Sequence, residues 1–436
     1  MSVFAKLARG GKQRLRERYE NWRGRQYEER ARRLAGRPRP HPRALVFPAA
    51  GVGSLGDEAM LMAAGRILRR HGVEQLTVLS YGPGAPWPPV GDFDDVISLG
   101  ERYGADFWGT CDDVLAACAT ATHLLIQGAD VMDGYYSPYE CFRRCVYARI
   151  AAAAGLRTTI GGFSYNASPH PRSVRTLAAV PAAVRLVARD PVSWRRLVGL
   201  IGRPVHAGAD MAFLLGGAVG SATVERHVRW VESQRAEGRL VLGVNANYLV
   251  APGHREGDVG RDLIDAYAAG LAPLLDAAAP VSLLLLPHDY RAMAGRYSDG
   301  ELLAAVADRL PASLAGCVRP VRERLDAAEA KALAGKVDAV ISGRMHLAIA
   351  ALGQGIPAAG VTYQGKFEGL YEHFGLTGQS LAPTDLLAGG LAPFLQGFLA
   401  QRAQLATTIA ARLPQVQELA GVSFANLIAD DEAGEP

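Results

Sequence analysis

Short apolar segments alternate with stretches of helical periodicity along most of the chain, and this alternation restricts the fold more than any other feature. The first series lies between residues 43 and 215 and includes ALVFPA, LTVLS, DVISL and HLLIQG. A glycine-rich break follows at residues 216–220, and the alternation then resumes with RLVLGVNAN and VSLLLLPHD. Such alternation predicts parallel sheets covered by helices on both faces. Because 436 residues exceed what one core usually supports, we expect two α/β domains in series, residues 43–215 and 216–390, each with its own core.

The two ends of the chain differ from these domains. Residues 1–43 hold fourteen Lys and Arg against four Glu, whereas the whole chain carries only +4, so the basic character belongs to this arm. Apolar residues recur in the arm at roughly helical spacing, which predicts a basic amphipathic helix followed by a linker within residues 1–42. The arm could lie on an anionic membrane, pack on a partner subunit, or remain partly disordered. Nucleic-acid binding is disfavoured because nothing downstream continues the basic surface. Residues 391–436 are predicted to form a helical tail.

Composition indicates a protein of the cytoplasm. Five cysteines without CxxC spacing predict reduced thiols and no structural zinc. No apolar run approaches the ~18 residues that span a bilayer, and no signal-peptide core is present. Because the sequence contains no HExxH, no DxD and no clustered Cys and His, we expect no bound metal.

The densest set of functional signals lies in residues 341–375. An apolar strand ends before Gly343, a helix begins near Arg344 and His346, and the turn after the next strand carries Tyr363 and Lys366. The carboxyl ends of parallel strands form the usual ligand-binding edge of such a sheet. Cationic donors beside a helix N-terminus suit a small anion. We therefore predict an anion site here, with His346 as a general acid, since histidine titrates near neutral pH.

A glycine-rich turn follows the first predicted strand. It contains Gly51, Gly53 and Gly56, followed by Asp57 and Glu58. Backbone N–H groups in such a turn can approach a phosphate closely. The acidic start of the helix, with Asp57 as the expected N-cap, and the lack of a ribose-binding acid after the next strand disfavour a dinucleotide site. We predict that the turn lines one side of a cleft between the domains.

Other polar side chains at strand ends are weaker candidates. Asn245, Asn247, His288 and Asp289 follow apolar strands of the second half and are candidates for substrate contact or for turns. Asp210 is a weaker candidate for a base. Arg189 and Asp190 are expected to form a turn before the helix that Pro191 opens.

Several blocks, in this order, resemble the motifs of the polysaccharide pyruvyl transferase family: GVGSLGDE, VARDPVSWRRL, HAGADMAFLL, LLLLPHDYR and SGRMHLAIAALGQGIPAAGVTYQGKFEGLYEHFGL. The resemblance covers about residues 45–376 and implies a GT-B-like fold, in which two Rossmann-like domains face an interdomain cleft. It implies transfer of pyruvate from phosphoenolpyruvate to two sugar hydroxyls to form a ketal, with no other cofactor. The Arg-x-His motif of the family falls on Arg344 and His346, and its downstream basic residue on Lys366.

The first domain departs from the family pattern. Where the family commonly has three glycines, this chain has Gln127, Gly128, Ala129 and Asp130, which leaves the acceptor side open. The resemblance implies a glycan or lipid-linked saccharide acceptor, in cell-surface or exopolysaccharide synthesis at the inner face of the cell membrane. Two alternatives remain: a GT-B glycosyltransferase that uses a nucleotide sugar, and a non-catalytic scaffold for glycan assembly. The oligomeric state is not predicted.

Overall fold

A computed structural model describes residues 3–81, 93–100, 102–218, 220–250, 258–276, 280–291, 297–362 and 365–428. For residues 3–14, 258, 259 and 366 it describes the backbone alone.

The N-terminal domain contains a sheet of seven parallel strands in the order β3-β2-β1-β4-β5-β6-β7. In chain order the strands are β1 (Arg43–Phe47), β2 (Gln75–Tyr81), β3 (Asp95–Gly100), β4 (His123–Ala129), β5 (Arg157–Phe163), β6 (Val184–Ala188) and β7 (His206–Ala207). The helices up to this point are α1 (Val3–Arg32), α2 (Leu55–Arg70), α3 (Arg102–Ala105), α4 (Phe107–Cys118), α5 (Pro138–Ala153), α6 (Pro171–Ala178) and α7 (Pro191–Ile201). The sequence pattern predicted these strands but predicted neither α3 nor α6.

The C-terminal domain contains six parallel strands in the order β10-β9-β8-β11-β12-β13. They are β8 (Leu240–Asn245), β9 (Val281–Leu285), β10 (Val318–Pro320), β11 (Ala339–Ser342), β12 (Ala358–Val361) and β13 (Ser380–Leu381). The helices are α8 (Ala222–Ala236), α9 (Asp258–Leu275), α10 (Asp299–Arg309), α11 (Ala327–Ala334), α12 (Met345–Leu352), α13 (Lys366–Phe374), α14 (Pro383–Leu387), α15 (Leu391–Ala400) and α16 (Arg402–Gly421). Two parallel sheets flanked by helices confirm the predicted pair of Rossmann-like domains.

The expectation of a separate core for each domain is wrong. Alternate residues of β1 face opposite sides of the sheet, as the pleat requires. Leu45 and Phe47 belong to a core confined to the N-terminal domain. Ala44 and Val46, together with apolar residues of α2, belong to a second core that is continuous with the C-terminal domain. The two domains therefore share buried apolar surface.

The C-terminal tail is helical, as predicted, and returns to the first domain. The Leu419 carbonyl accepts a hydrogen bond from Ala209 N–H at 3.1 Å, and the Asn426 side chain donates to the Thr158 carbonyl at 3.2 Å. Phe424 is completely buried. The tail thus completes the packing of the N-terminal domain.

The basic arm is a helix that packs on the N-terminal domain of its own chain. The Tyr27 hydroxyl donates to the Trp108 carbonyl at 2.7 Å and to Asp112 at 3.0 Å, and the ring of Tyr27 stacks on that of Trp108. Ala31 is buried beside it. The predicted helix is present, but the surface that it covers belongs to its own chain and not to a partner subunit. Membrane binding by the arm stays a prediction. Among the described helices, none is both long enough and apolar enough to cross a bilayer.

Candidate active site

The glycine-rich turn lies directly against the C-terminal domain. Leu55 N–H donates to the His288 carbonyl at 3.2 Å, and Tyr290 N–H donates to the Gly53 carbonyl at 2.8 Å. The left-handed φ of Gly53, +109°, is one that other residues rarely adopt. The carboxyl ends of the two sheets therefore meet at this turn, where residues 53–58 are buried. The predicted contact of the turn with a ligand in a cleft stays a prediction.

His346 lies where the two domains meet. It follows β11 in the first turn of α12, and its ring packs against Gly56 of the opposite domain. Its Nε2 is 3.3 Å from Oδ2 of Asp210, which is near enough for an ion pair when the imidazole is protonated. Burial opposes ionisation of Asp210, but the charges of His346 and Arg189 hold the pKa of this carboxyl well below its ordinary value. A permanent carboxylate therefore stands beside the imidazole.

Arg344 is held by two carboxylates. Its Nη2 is 2.8 Å from Asp299 Oδ1, and its Nη1 is 3.0 Å from Asp289 Oδ2. The guanidinium of Arg291 binds the two oxygens of Asp289 at 2.9 and 2.6 Å. Burial opposes ionisation of Asp289, yet these two arginines keep its pKa below the ordinary value. A substrate anion at Arg344 would share the guanidinium with these carboxylates.

Asn245 and Asn247 are buried parts of this framework. The Asn245 amide donates to the Leu286 carbonyl at 3.0 Å and to Asp299 at 2.9 Å. The Asn247 amide donates to the Gly343 carbonyl at 3.1 Å. Both side chains therefore fix the strand ends that carry Arg344, which supports the turn alternative for these two residues.

His288 is a second histidine near the centre. Its side chain is 4% exposed, and neither ring nitrogen has a hydrogen-bond partner among the described residues. Burial, together with the positive charges of His346 and Arg344, lowers the pKa of His288 to about 3. The imidazole of His288 is therefore neutral at physiological pH. His346, in contrast, stands beside the carboxylate of Asp210.

The two acidic residues after the glycine turn occupy different environments. Ser54, and not Asp57, is the N-cap of α2, because the Ser54 hydroxyl accepts the N–H of Asp57 at 3.4 Å. Burial raises the pKa of Asp57, although the nearby charges of His346 and Arg291 oppose this. Glu58 accepts the N–H of Ala327 at 2.9 Å, at the start of α11, and burial raises its pKa to about 7. Glu58 thus joins the two domains.

On the N-terminal side, the turn at Arg189 and Asp190 is confirmed. Asp190 is the N-cap of α7 and accepts the N–H of Ser193 at 2.7 Å. Arg189 contacts Asp210 at 3.0 Å and donates to the Ser164 hydroxyl at 2.7 Å. Direct contacts therefore connect His346, through Asp210 and Arg189, to Ser164.

Ser164 lies in the wall of an open cavity of about 400 Å³. Most of this wall comes from loops after β4 and β5, and Gly365 of the opposite domain closes one side. Gly365 is the N-cap of α13, whose first residue is Lys366. The Lys366 side chain and Tyr363 lie outside the described residues, so their predicted roles stay predictions.

Sequence analysis missed four side chains of this region. Arg291 belongs to the quoted LLLLPHDYR block, but nothing in its spacing shows that it binds Asp289. Asp299 begins α10, 45 positions before Arg344, and looks like an ordinary first-turn acid of a capping box. Tyr135 and Tyr136 fall in a loop that shows no periodicity.

In the described part of the chain, no three His, Cys, Asp or Glu side chains form a group that could hold a metal ion.

Two parallel-sheet domains that meet through the carboxyl ends of their strands define a protein of the GT-B class. The model of the polysaccharide pyruvyl transferase family matches residues 55–365, and the chain belongs to this family. The sequence has no significant match among curated proteins.

Solved structures of similar fold support this class. A putative UDP-N-acetylglucosamine 2-epimerase from Listeria monocytogenes has 12% identity and a TM-score of 0.55, over 89% of this chain and 98% of its own. An α,α-trehalose-phosphate synthase (UDP-forming) from Burkholderia vietnamiensis has 14% identity and a TM-score of 0.51, over 89% of this chain and 97% of its own. At these identities the likeness concerns the fold alone.

Proposed function

We propose that this protein transfers the pyruvyl group of phosphoenolpyruvate to two hydroxyls of a glycan sugar, forming a ketal, in exopolysaccharide or cell-surface polysaccharide synthesis. Family membership supports the reaction class. The observation that carries the assignment is the position of His346, which packs against Gly56 and stands beside the carboxylate of Asp210 at the junction of the two domains. A histidine beside a carboxylate is suited to donate a proton and then to recover one.

In the proposed reaction, His346 gives a proton to the methylene carbon of phosphoenolpyruvate, and positive charge develops at C2. A sugar hydroxyl forms a C–O bond to C2, and the bond from C2 to the phosphate oxygen breaks. The second hydroxyl then bonds to C2 and closes the ketal. Of the two hydroxyl protons, one restores His346 and the other leaves with phosphate. The Asp210 carboxylate stabilises the imidazolium form of His346.

The anionic groups of phosphoenolpyruvate need fixed positive charge. Arg344 is 15% exposed at its side chain and is held in place by Asp289 and Asp299, so it is oriented before substrate arrives. A preorganised guanidinium can bind a carboxylate or phosphate through two parallel hydrogen bonds. We assign Arg344 to one anionic group and, by family resemblance, Lys366 to the other.

The test compares two donor ligands. Phosphoenolpyruvate should raise the melting temperature of the full chain, whereas UDP should not, because a ligand stabilises only the state that binds it. Incubation with phosphoenolpyruvate and methyl hexopyranosides that have free 4- and 6-hydroxyls should release phosphate only when sugar is present. In D₂O the ketal methyl group should gain one deuterium. Stabilisation by UDP together with no response to phosphoenolpyruvate would favour a nucleotide-sugar glycosyltransferase instead.

We also propose that the protein works at the inner face of the cell membrane, bound through α1. The side of α1 that packs on the domain carries Glu20, Gly24, Tyr27 and Ala31, at helical spacing. The opposite side exposes Leu15, Tyr19 and Trp22, which are 67%, 52% and 48% exposed. Aromatic side chains on one face of a basic helix are typical of interfacial membrane binding.

The charges of α1 are sorted between the same two sides. Three of its four glutamates pair with arginines of the domain: Glu17 with Arg175, Glu20 with Arg172, and Glu28 with Arg149. Because these acids face the domain, the solvent side retains an excess of arginines, among them Arg18 and Arg25. This surface complements an anionic leaflet.

A further inference from the structure

The open cavity of about 400 Å³ next to Ser164 has a lining that distinguishes it from the centre at His346. Its volume is within the range of about 300–1,000 Å³ that is usual for small-molecule sites. It lies at the carboxyl ends of β4 and β5, where open parallel sheets bind ligands. Gly365 of the C-terminal domain adjoins it, so a ligand in the cavity would contact both domains.

Two exposed aromatic rings stand in the cavity wall. Tyr135 and Tyr136 are 61% and 51% exposed, and their ring centroids are 5.2 Å apart in an edge-to-face arrangement. The Tyr136 hydroxyl donates to Asp130 at 3.2 Å, and the N–H of Tyr135 donates to Asp133 at 2.9 Å. The Tyr136 ring is therefore anchored through its hydroxyl and Tyr135 is held at its backbone, while both rings remain exposed. Exposed aromatic faces suit the C–H face of a pyranose ring.

The loop that carries these rings begins with a strained backbone. Ala129 has a φ of +41°, the one positive φ among the described residues other than glycine. Such conformations are rare for residues with a β-carbon and persist only where the surrounding structure imposes them. The hydrogen bond from Ser164 N–H to the Ala129 carbonyl, at 2.7 Å, holds this turn next to β5. The turn at Ala129 therefore sets the direction in which Asp130 and the two tyrosines leave β4.

The charges of the lining select the kind of ligand. Among the described residues, three carboxyl side chains, of Asp130, Asp133 and Asp190, line the cavity, together with one guanidinium, that of Arg196. Arg196 already donates to the Tyr165 carbonyl at 3.0 Å. A diphosphate would meet repulsion here, whereas carboxylate oxygens accept hydrogen bonds from hydroxyls. The lining therefore favours an uncharged polyhydroxyl ligand over a nucleotide.

We infer that this cavity is the subsite for the acceptor sugar, in which Tyr135 and Tyr136 hold a hexopyranose ring; its role in pyruvyl transfer rests on the proposed function. Direct contacts link the cavity wall to the proposed acid: Ser164 to Arg189, Arg189 to Asp210, and Asp210 to His346. A sugar against the tyrosines would thus lie on a wall that three side-chain contacts join to the proposed acid. Residues 127–130, where the chain departs from the family pattern, form the end of β4 and the start of the loop that carries the tyrosines.

The experiment uses the full chain with phosphoenolpyruvate present and three probes: the methyl β-D-glucopyranoside, galactopyranoside and mannopyranoside. Saturation-transfer NMR should show ring C–H signals from at least one of them. The Tyr135→Ala/Tyr136→Ala double variant should lose these signals, with binding weakened by about tenfold or more. Tyr136→Phe should keep them, because the ring face remains. Leu387→Ala is the control, since Leu387 is exposed, at 39%, but lies on α14, outside the cavity lining.

The melting temperature with phosphoenolpyruvate is measured on the same samples, and the double variant should retain the shift of the wild type. Equal sugar signals in the wild type and the double variant would overturn the inference, as would no signal from any of the three sugars. A tyrosine-dependent sugar signal without stabilisation by phosphoenolpyruvate would leave the sugar site standing and contradict the donor assignment alone.

Discussion

His346 and Gly56 belong to opposite domains, and the imidazole occupies the space that a side chain at position 56 would need. A β-carbon on residue 56 would lie 2.2 Å from Nδ1 of His346. Because heavy atoms cannot approach so closely, Gly56→Ala must displace the ring. Gly56 is the second residue of α2, and alanine has the higher helix propensity of the two residue types.

We therefore expect Gly56→Ala to reduce the rate of phosphate release by about tenfold to a hundredfold without a large loss of stability. The matched control is Gly199→Ala in α7, because a β-carbon there has no neighbour within 4 Å. Steady-state kinetics and thermal melts of both variants provide the measurement. A Gly56→Ala enzyme with normal turnover would contradict the importance of this contact.

Replacement of the proposed acid should separate catalysis from binding. His346→Gln is expected to lower kcat by about 10²–10⁴-fold, the usual contribution of general acid catalysis. Stabilisation by phosphoenolpyruvate should persist, because Arg344 remains. His41→Gln, at an exposed position, is the control. Unchanged kcat for His346→Gln would show that another group delivers the proton.

The carboxylate of Asp299 is expected to be important for stability. It accepts hydrogen bonds from Arg344, from Asn245 and from the backbone N–H of His288. Asp299→Ala would leave the Arg344 charge without one partner, and such losses cost about 3–5 kcal/mol in buried pairs. Asp308→Ala, at an exposed position of the same helix, should have little effect. Urea denaturation of the two variants measures the difference, and equal midpoints would refute the prediction.

Glu58 should make stability depend on pH. Burial raises its pKa from 4.5 to about 7, so the folded state binds this proton more tightly than the unfolded state. Its contribution is complete below about pH 4.5 and is lost as pH rises to about 7, with a maximum near 3 kcal/mol. Glu58→Gln keeps an oxygen for the Ala327 N–H but does not titrate. The stability of this variant relative to wild type should therefore rise between these pH values, and a pH-independent difference would contradict the assignment.

The solvent side of α1 should determine membrane binding. The Leu15→Ser/Tyr19→Ser/Trp22→Ser variant is expected to lose binding to vesicles of phosphatidylglycerol and phosphatidylcholine by about tenfold or more. Wild type should bind pure phosphatidylcholine weakly, because α1 supplies positive charge. Leu200→Ser is the control, since Leu200 is 47% exposed on α7. Sedimentation with vesicles measures binding, and equal sedimentation of the triple variant and wild type would exclude α1 as the anchor.

The sequence predicted those features of the fold and site that depend on local pattern. Alternating periodicity was sufficient to predict both sheets. The strand end before Gly343 was sufficient to select Arg344 and His346 as candidate site residues. Contacts between distant segments left no such signal. Asp299 reaches Arg344 from another helix, and the Tyr135 and Tyr136 rings join a cavity that exists only after three loops come together. The sequence left Asn245 as a candidate for substrate contact or for a turn, because contacts with the buried Leu286 carbonyl and with Asp299, which bind its amide, are not visible in a local pattern.

The return of the tail to the N-terminal domain has a consequence for biosynthesis. The Ala209 N–H and the Thr158 carbonyl find their partners at Leu419 and Asn426, more than two hundred residues later. At ribosomal rates of about 5–20 residues per second, roughly 10–40 s pass between the synthesis of the first domain and that of the residues that make these contacts. The nascent N-terminal domain thus cannot reach its final packing until residues 419–426 have been synthesised. A segment that follows the whole second domain in the chain therefore completes the first domain.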